Sequence, residues 1–386
     1  MAGALNNFFK KFLSKKGDSV LGIDIGSSSI KVVQLGKQKG KAVLETYGEL
    51  ALGPYADVEI GRATKLNNDK LAEAIIDVLK EANVSTNSAG LSIPMRSSMV
   101  SVIRMPAEMD EKQLAQMIPI EARKYIPVPV SEVTLDWFLI PDLGENSSQM
   151  KKVESRPAGK DGSDAPSTQI KTNEALVVAI HNDVLNNFNT IVQNSKIDTS
   201  FFEVEMFSTI RAVLEHGENR PVLICDVGAG ATKLYIVERG VVRDSHIINR
   251  GSQDITLNLS KSLNITVDLA EKMKRNYGRN EREQDLNVGR IVDLVYTPVF
   301  SEINSFMLNF QRRYNKDIAK VYLVGGGSLL FGLVEKAHER FGIETVLGDP
   351  FAKVEAPAFL QEVLKRTGLA FSTSLGLAIR KLQELS

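Results

Sequence analysis

The sequence predicts a duplicated α/β fold: two similar halves, each a sheet crossed by helices, with a small subdomain inserted into the first. Three stretches predict it. Residues 20–35, VLGIDIGSSSIKVVQL, read as a buried strand ending near Asp24, a small-residue turn and a second strand. Residues 222–237, VLICDVGAGATKLYIV, repeat that pattern. Residues 321–333, VYLVGGGSLLFGL, run from a strand into a glycine turn and a helix.

The chain has 386 residues, enough for several subdomains and a substantial core. Lys plus Arg and Asp plus Glu both total 47, so the formal net charge is zero, which argues against a general nucleic-acid binder. One cysteine, Cys225, permits no intramolecular disulfide and fits a reducing cytoplasm. His181, His216, His246 and His338 are scattered without zinc spacing. No apolar run approaches the roughly 20 residues that span a bilayer, and no signal-peptide core is present, so a soluble protein is expected.

In chain order, residues 3–15 form an amphipathic helix candidate, with Leu5, Phe8, Phe9, Phe12 and Leu13 on one side and Lys10 and Lys11 opposite. Residues 3–16 then contact either an anionic membrane face or a partner, or pack on their own domain; both readings stay open. In the first hairpin, Gly26, Ser27, Ser28 and Ser29 let the backbone fold back so that its N–H groups converge on an anion. Asp24 beside them can orient Mg²⁺ or its waters, and an ordinary hairpin is the plainer alternative. Residues 43–52 continue the sheet, 71–82 read as a helix capped by Asn68 or Asp69, and 89–93 return as a strand.

Residues 97–105 alternate as a new strand. A helix beginning at Asp110 or Glu111 carries Leu114, Met117, Ile118 and Ala122, and Pro119 is expected to kink or split it. Strands follow at 135–140 and 175–180. Between them residues 144–173, rich in Ser, Lys, Gly and Pro, read as a long disordered loop. This sheet-plus-helix spans 95–182. Helices are expected at 184–195 and 203–214.

In the second hairpin Asp226, Gly228 and Lys233 match Asp24, Gly26 and Lys31. Ala229, Gly230 and Ala231 face the three serines, and Thr232 follows. Two such bends half a chain apart suggest one nucleoside triphosphate clamped between them. Helices follow at 267–277 and 290–314. The third motif offers Gly325, Gly326 and Gly327 for close backbone approach, with Ser328 as the expected N-cap of a helix at 330–341. A strand at 343–346 and a helix at 368–385 complete the chain.

The order of the three glycine motifs resembles the actin, sugar-kinase and Hsp70 superfamily, as its two phosphate loops and adenosine loop. IEARKYIP at 120–127, VTLDW at 133–137, AEKMK at 270–274 and LGLAIR at 375–380 resemble, more narrowly, the PilM family of type IV pilus assembly proteins. That family is related to FtsA, and the resemblance runs from about residue 18 to the C-terminus. It implies an actin-like (ribonuclease H-like) duplicated α/β fold with an inserted SHS2-type 1C subdomain at 95–182. The first half (1A) would be 18–94 with 183–218, the second (2A) 219–250 with 318–386, and subdomain 2B 251–317. No separate amphipathic tail follows the last helix, which favours PilM over FtsA.

The resemblance further implies ATP with Mg²⁺ in the cleft, held by the bend N–H groups, with Asp24 and Asp226 orienting the metal through waters. Lys31 and Lys233 either reach a phosphate or face solvent. A helical Glu that positions water is expected at Glu205, with Glu203 as runner-up, and ordinary solvated charges are the plainer reading. Hydrolysis is left open between slow and absent. The family's glycine turn after the second hairpin is Gly-Ser here, so close approach rests on Gly251. Glu271 and Lys274, three apart on one helix face, would flank base and ribose, or form an exposed ion pair. The implied partner is the cytoplasmic N-terminal tail of a PilN-like membrane protein, in a groove with Glu121, Arg123, Tyr125 and Ile126, alongside other assembly-platform or motor proteins. The implied location is cytoplasmic, peripheral at the inner membrane. The alternatives are an FtsA-like or MreB-like filament former and, further off, a small-molecule kinase.

Overall fold

The computed structural model describes residues 19–106, 109–140, 172–215, 217–278 and 283–385. The amphipathic segment expected at 3–16 lies outside these residues. So do residues 144–171 of the expected loop, while Thr172 and Asn173 belong to a strand.

In chain order the elements are β1 (Val20–Ile25), β2 (Ser29–Gln38), β3 (Lys41–Ala51), α1 (Asn68–Glu81), β4 (Ser88–Ile93) and β5 (Ser98–Pro106). Then come α2 (Glu111–Ala122), β6 (Val133–Ile140), β7 (Thr172–His181), α3 (Asn182–Ser195), β8 (Asp198–Val204) and α4 (Glu205–Val213). The second part holds β9 (Val222–Val227), β10 (Thr232–Glu238), β11 (Val241–Ile248), α5 (Ser252–Leu263), α6 (Val267–Asn276) and α7 (Glu283–Tyr314). It ends with β12 (Lys320–Val324), α8 (Leu333–Phe341), β13 (Thr345–Leu347), α9 (Gln361–Thr367) and α10 (Ser372–Glu384).

Two sheets repeat one topology. The first runs β3-β2-β1-β4-β8 and the second β11-β10-β9-β12-β13. In each, the opening hairpin is antiparallel and its first strand pairs in parallel with a later one, β4 or β12. A parallel neighbour requires a crossover, and helices supply it. The first strands are buried almost throughout and apolar except at Asp24 and Asp226, as strands covered on both faces are. In the second half Leu223, Ile236, Ile255, Val292, Phe310 and Leu333 share one core, joining sheet to α5, α7 and α8.

Helix α10 is fitted to the first half at backbone distance. A Cβ on Gly22 of β1 would overlap the Ser374 carbonyl, and one on Gly376 would overlap the Ser208 carbonyl of α4. The Thr209 and Thr373 hydroxyls meet across the same crossing at 3.0 Å. Glycine is required there by close approach, since any side chain would push the elements apart.

Residues Ser97–Leu185 form a separate compact unit. Its sheet is ordered β5-β7-β6, all antiparallel. Leu114, Ile118 and Ala122 of α2 pack with Ile103, Met105, Val177 and Ala179 of the sheet. An apolar depression in this unit is lined by Met99, Ile103, Ala122, Tyr125, Ile126 and Val177.

Several local expectations are corrected. The cap of α1 is Asn67, whose Oδ1 accepts from Lys70 N–H at 2.9 Å, rather than Asn68 or Asp69. Helix α2 is one element, Glu111–Ala122, so Pro119, in its last turn, does not split it. Its start carries a capping box between Asp110 and Gln113. Residues 203–214 are not one helix: Glu203 and Val204 end strand β8 and the helix starts at Glu205. Ser328 caps no helix. Its hydroxyl donates to the Val324 carbonyl at 2.6 Å, and α8 begins after Gly332, whose φ is +73°. Helix α7 starts seven residues earlier than the expected 290, at Glu283. Among the described residues no helix is long and apolar enough to cross a membrane.

Candidate functional site

The two Asp-x-Gly bends are geometric copies. Gly26 N–H donates to the Ser29 carbonyl at 3.0 Å, and Gly228 N–H to the Ala231 carbonyl at 2.9 Å. A Cβ on either glycine would lie 2.9 Å from that same oxygen, so both turns need glycine for tightness. Register pairs Asp24 with Lys31 and Asp226 with Lys233 across their hairpins. Among the described residues, the N–H groups of Ser27, Ser28, Ala229 and Gly230 find no protein acceptor. Convergent, unpaired backbone N–H groups are what an anion requires.

The bends face one another. A Cβ on Gly230 would stand 3.2 Å from Ser27 Oγ and 3.4 Å from the Ala63 Cβ. The second bend is braced from behind by the start of α5: Ser252 N–H donates to the Gly228 carbonyl at 2.9 Å and Gln253 N–H to the Ala229 carbonyl at 3.0 Å. Gly251 makes this possible, since a Cβ there would overlap the Ala229 oxygen. Gly325, at φ +81°, abuts Asp226 and Val227, and a Cβ on Gly327 would lie 2.8 Å from the Val227 carbonyl. Ser328, one residue on, is buried. Gly326 has more room. The structure therefore gathers both bends, Gly251 and the 325–327 turn into one place.

The two aspartates keep different partners. Asp24 Oδ1 accepts from Ser92 Oγ at 2.7 Å. Lys31, opposite it, donates to Ser29 Oγ at 2.6 Å and lies 3.4 Å from Glu49. In the second half Lys233 Nζ reaches Asp226 Oδ2 at 3.2 Å and Glu205 Oε2 at 2.6 Å. Glu205 Oε1 accepts from Met95 N–H at 2.7 Å. Burial pushes the Glu205 carboxyl up, with Lys233 opposing. Burial also works against the Lys233 charge, but Asp226 and Glu205 outweigh it and hold the ammonium protonated well above the usual lysine range. Thr232 is buried, and its hydroxyl donates to the Arg250 carbonyl at 2.9 Å. Among the described residues no three His, Cys, Asp or Glu side chains gather to hold a metal ion. The carboxylates present suit a hydrated Mg²⁺ held through its waters.

Glu203, the runner-up base, is taken up elsewhere: Arg211 grips it at 2.7 and 2.8 Å and Arg380 at 2.7 Å. Glu271 and Lys274 form a buried pair at 2.7 Å, not an exposed one. Thr256 Oγ1 donates to Glu271 at 2.6 Å, and Lys274 also donates to the Ser252 carbonyl at 3.2 Å, tying the pair to the start of α5. Glu121, Arg123, Tyr125 and Ile126 belong to the separate 97–185 unit. There Ile126 is buried, Tyr125 is exposed, both line the apolar depression, and Glu121 pairs with Lys124 at 2.7 Å.

Sequence reasoning misses Ser92, the Met95 N–H and Gln253. Ser92 lies at the end of β4 and Met95 in the turn just after it, brought beside Asp24 and Glu205 by parallel strand pairing. Gln253 sits two residues after Gly251, where a polar residue in the first turn of a helix is the one available signal.

A family model described as type IV pilus assembly protein PilM matches residues 22–156 and 164–382. The cell division protein FtsA of Neisseria meningitidis serogroup B is 23% identical over 359 residues, 85% of this chain and 83% of that protein. The FtsA of Streptococcus pneumoniae serotype 2 is 27% identical over 196 residues, and that match spans under half of its length, 43%. Among solved structures, a PilM-PilN type IV pilus biogenesis complex superposes with a TM-score of 0.76 at 22% identity, covering 94% of this chain and 98% of that one. MreB5 of Spiroplasma citri bound to AMPPNP superposes at 0.51 with 12% identity, covering 96% and 98%. The fold is actin-like.

Proposed function

The chain belongs to the PilM family of type IV pilus assembly proteins, and from that premise we propose that it binds ATP with Mg²⁺ between its two aspartate bends and couples occupancy to its grip on a PilN-like membrane protein. The observation that carries this reading is the pair of matching bends facing each other, with N–H groups that find no acceptor among the described residues. A duplicated half supplies one anion cradle, and two opposed cradles suit a polyphosphate chain. The MreB5 relative was solved with AMPPNP, which supports the ligand class.

On this reading the N–H groups of Ser27, Ser28, Ala229 and Gly230 hold phosphate oxygens, while Asp24 and Asp226 orient the waters of Mg²⁺. Bound Mg²⁺ would offset charge on the phosphates. Glu271 and Lys274 flank the base and ribose, and Gly325–Gly327 give them a flat floor. Residues 18–94 with 183–218, and 219–250 with 318–367, are the two clasping halves, with 251–317 as the subdomain beside the base; α10, expected in the second half, packs on the first. Glu205 has both oxygens committed to Met95 N–H and Lys233, so binding rather than turnover is the centre of the proposal.

The solved PilM-PilN complex supports a PilN-like tail as partner. We place that tail on the 95–182 subdomain, against exposed Tyr125 beside a shallow apolar depression, with Ile126 beneath it and Glu121 and Arg123 at its rim. The protein then works at the inner face of the membrane, held there by its partner. The test is capture of the full chain on a synthetic tail peptide with and without Mg-ATP. Capture should change by about fivefold or more with nucleotide, the scale of ordinary allosteric coupling, and Asp24→Ala should abolish the change. Tyr125→Ala and Arg123→Glu should weaken capture in both conditions. Equal capture with and without nucleotide would contradict the coupling.

A further inference from the structure

The segment between β3 and α1 touches both halves. Thr64 N–H donates to the Ser27 carbonyl of the first bend at 2.8 Å. Ala63 N–H donates to Gln253 Oε1, on the helix that braces the second bend, at 2.8 Å. Gly61, at φ +102°, lies against Glu271, and a Cβ there would stand 3.0 Å from Glu271 Oε2. Four residues of the first half thus reach the first bend, the support of the second bend and the buried Glu271–Lys274 pair.

We infer that Gly61–Thr64 is a latch across the two halves and that its release sets how fast nucleotide enters and leaves; this rests on the nucleotide reading above. A ligand that spans the bends and the Glu271–Lys274 pair must contact this segment or displace it, because the segment touches all three. The segment is also built to let go. No residue from 57 to 67 is buried, so its release melts no core. Among the described residues it meets the second half through one side-chain hydrogen bond, the contact of Gly61 with Glu271 and the approach of Ala63 to Gly230. The Thr64 Oγ1 atom is buried and has no hydrogen-bond partner among the described residues. Opening would offer that hydroxyl water or a ligand oxygen as partner.

Gln253→Ala removes the acceptor for Ala63 N–H while leaving the bend backbone in place. Stopped-flow release of a fluorescent ATP analogue with Mg²⁺ from the full chain should be about fivefold faster in Gln253→Ala than in wild type, the scale of one lost hydrogen bond. Association should quicken as well, so that the dissociation constant moves less than either rate. Unchanged rates in a variant that still binds the analogue would overturn the latch and leave the nucleotide reading intact. Wild type that binds no analogue would overturn the nucleotide reading, and gating with it. Hydrogen exchange without nucleotide separates the two: peptides covering 61–66 should exchange faster in Gln253→Ala, and equal exchange would overturn the latch contact itself.

Discussion

Lys31 and Lys233 occupy matching positions in two copies of one hairpin, yet only Lys233 faces its aspartate within bonding distance. Lys233 is held by Glu205 and Asp226 together, whereas Lys31 turns to Ser29 and Glu49. A buried pair such as Lys233 with Glu205 is costly to break from one side, about 3–5 kcal/mol, because the remaining charge is stranded. Duplication therefore produced two similar bends in unlike electrostatic settings. Glu203 supplies a pH prediction. Burial pushes its carboxyl up, but Arg211, with hydrogen bonds from Ser208 and Arg380, outweighs this and holds it below the ordinary value of 4.5. A depressed folded-state value means the charged form stabilises the fold at higher pH, and that stabilisation is lost as pH falls through the depressed value. Wild type should thus lose melting temperature below about pH 4.5 more steeply than Glu203→Gln, followed by thermal melts across pH. Parallel curves would show that Glu203 is not the group being titrated.

Among elements, α4 and α10 cross at backbone distance. Gly376 sits against the Ser208 carbonyl with no room for a methyl group. Gly376→Ala should destabilise by about 1–3 kcal/mol, the usual cost of overpacking, read from urea unfolding. An unchanged midpoint would mean the helices separate freely. Elements also show what was legible in the sequence. The two bends are legible because aspartate, glycine and small residues at fixed spacing define a hairpin locally, and the repeat declares itself. Strand β8 is not, because its run Asp198–Val204 opens polar and gains strand form only by pairing with β4. The cap at Asn67 is missed by one residue, since neighbouring Asn68 and Asp69 offer the same chemistry. Gln253 and Ser92 act across 190 and 68 residues, so no local pattern announces them. The ring of bonds around Glu205 is hidden for the same reason.

For the whole molecule, one topology used twice explains why the candidate site lies where it does. Each sheet delivers its bend at the end of its first strand, where parallel pairing to β4 or β12 sets the neighbouring turn beside it. The family shows a pilus assembly protein, and the actin-like fold supplies two halves whose spacing a ligand can bias only through its differential affinity for the spacings. The most direct measurement is calorimetric titration of Mg-ATP into the full chain, with Asp226→Ala alongside. The account predicts a saturable heat corresponding to one nucleotide per chain in wild type, and its loss in the variant. No heat in folded wild type, or undiminished binding in Asp226→Ala, would contradict it.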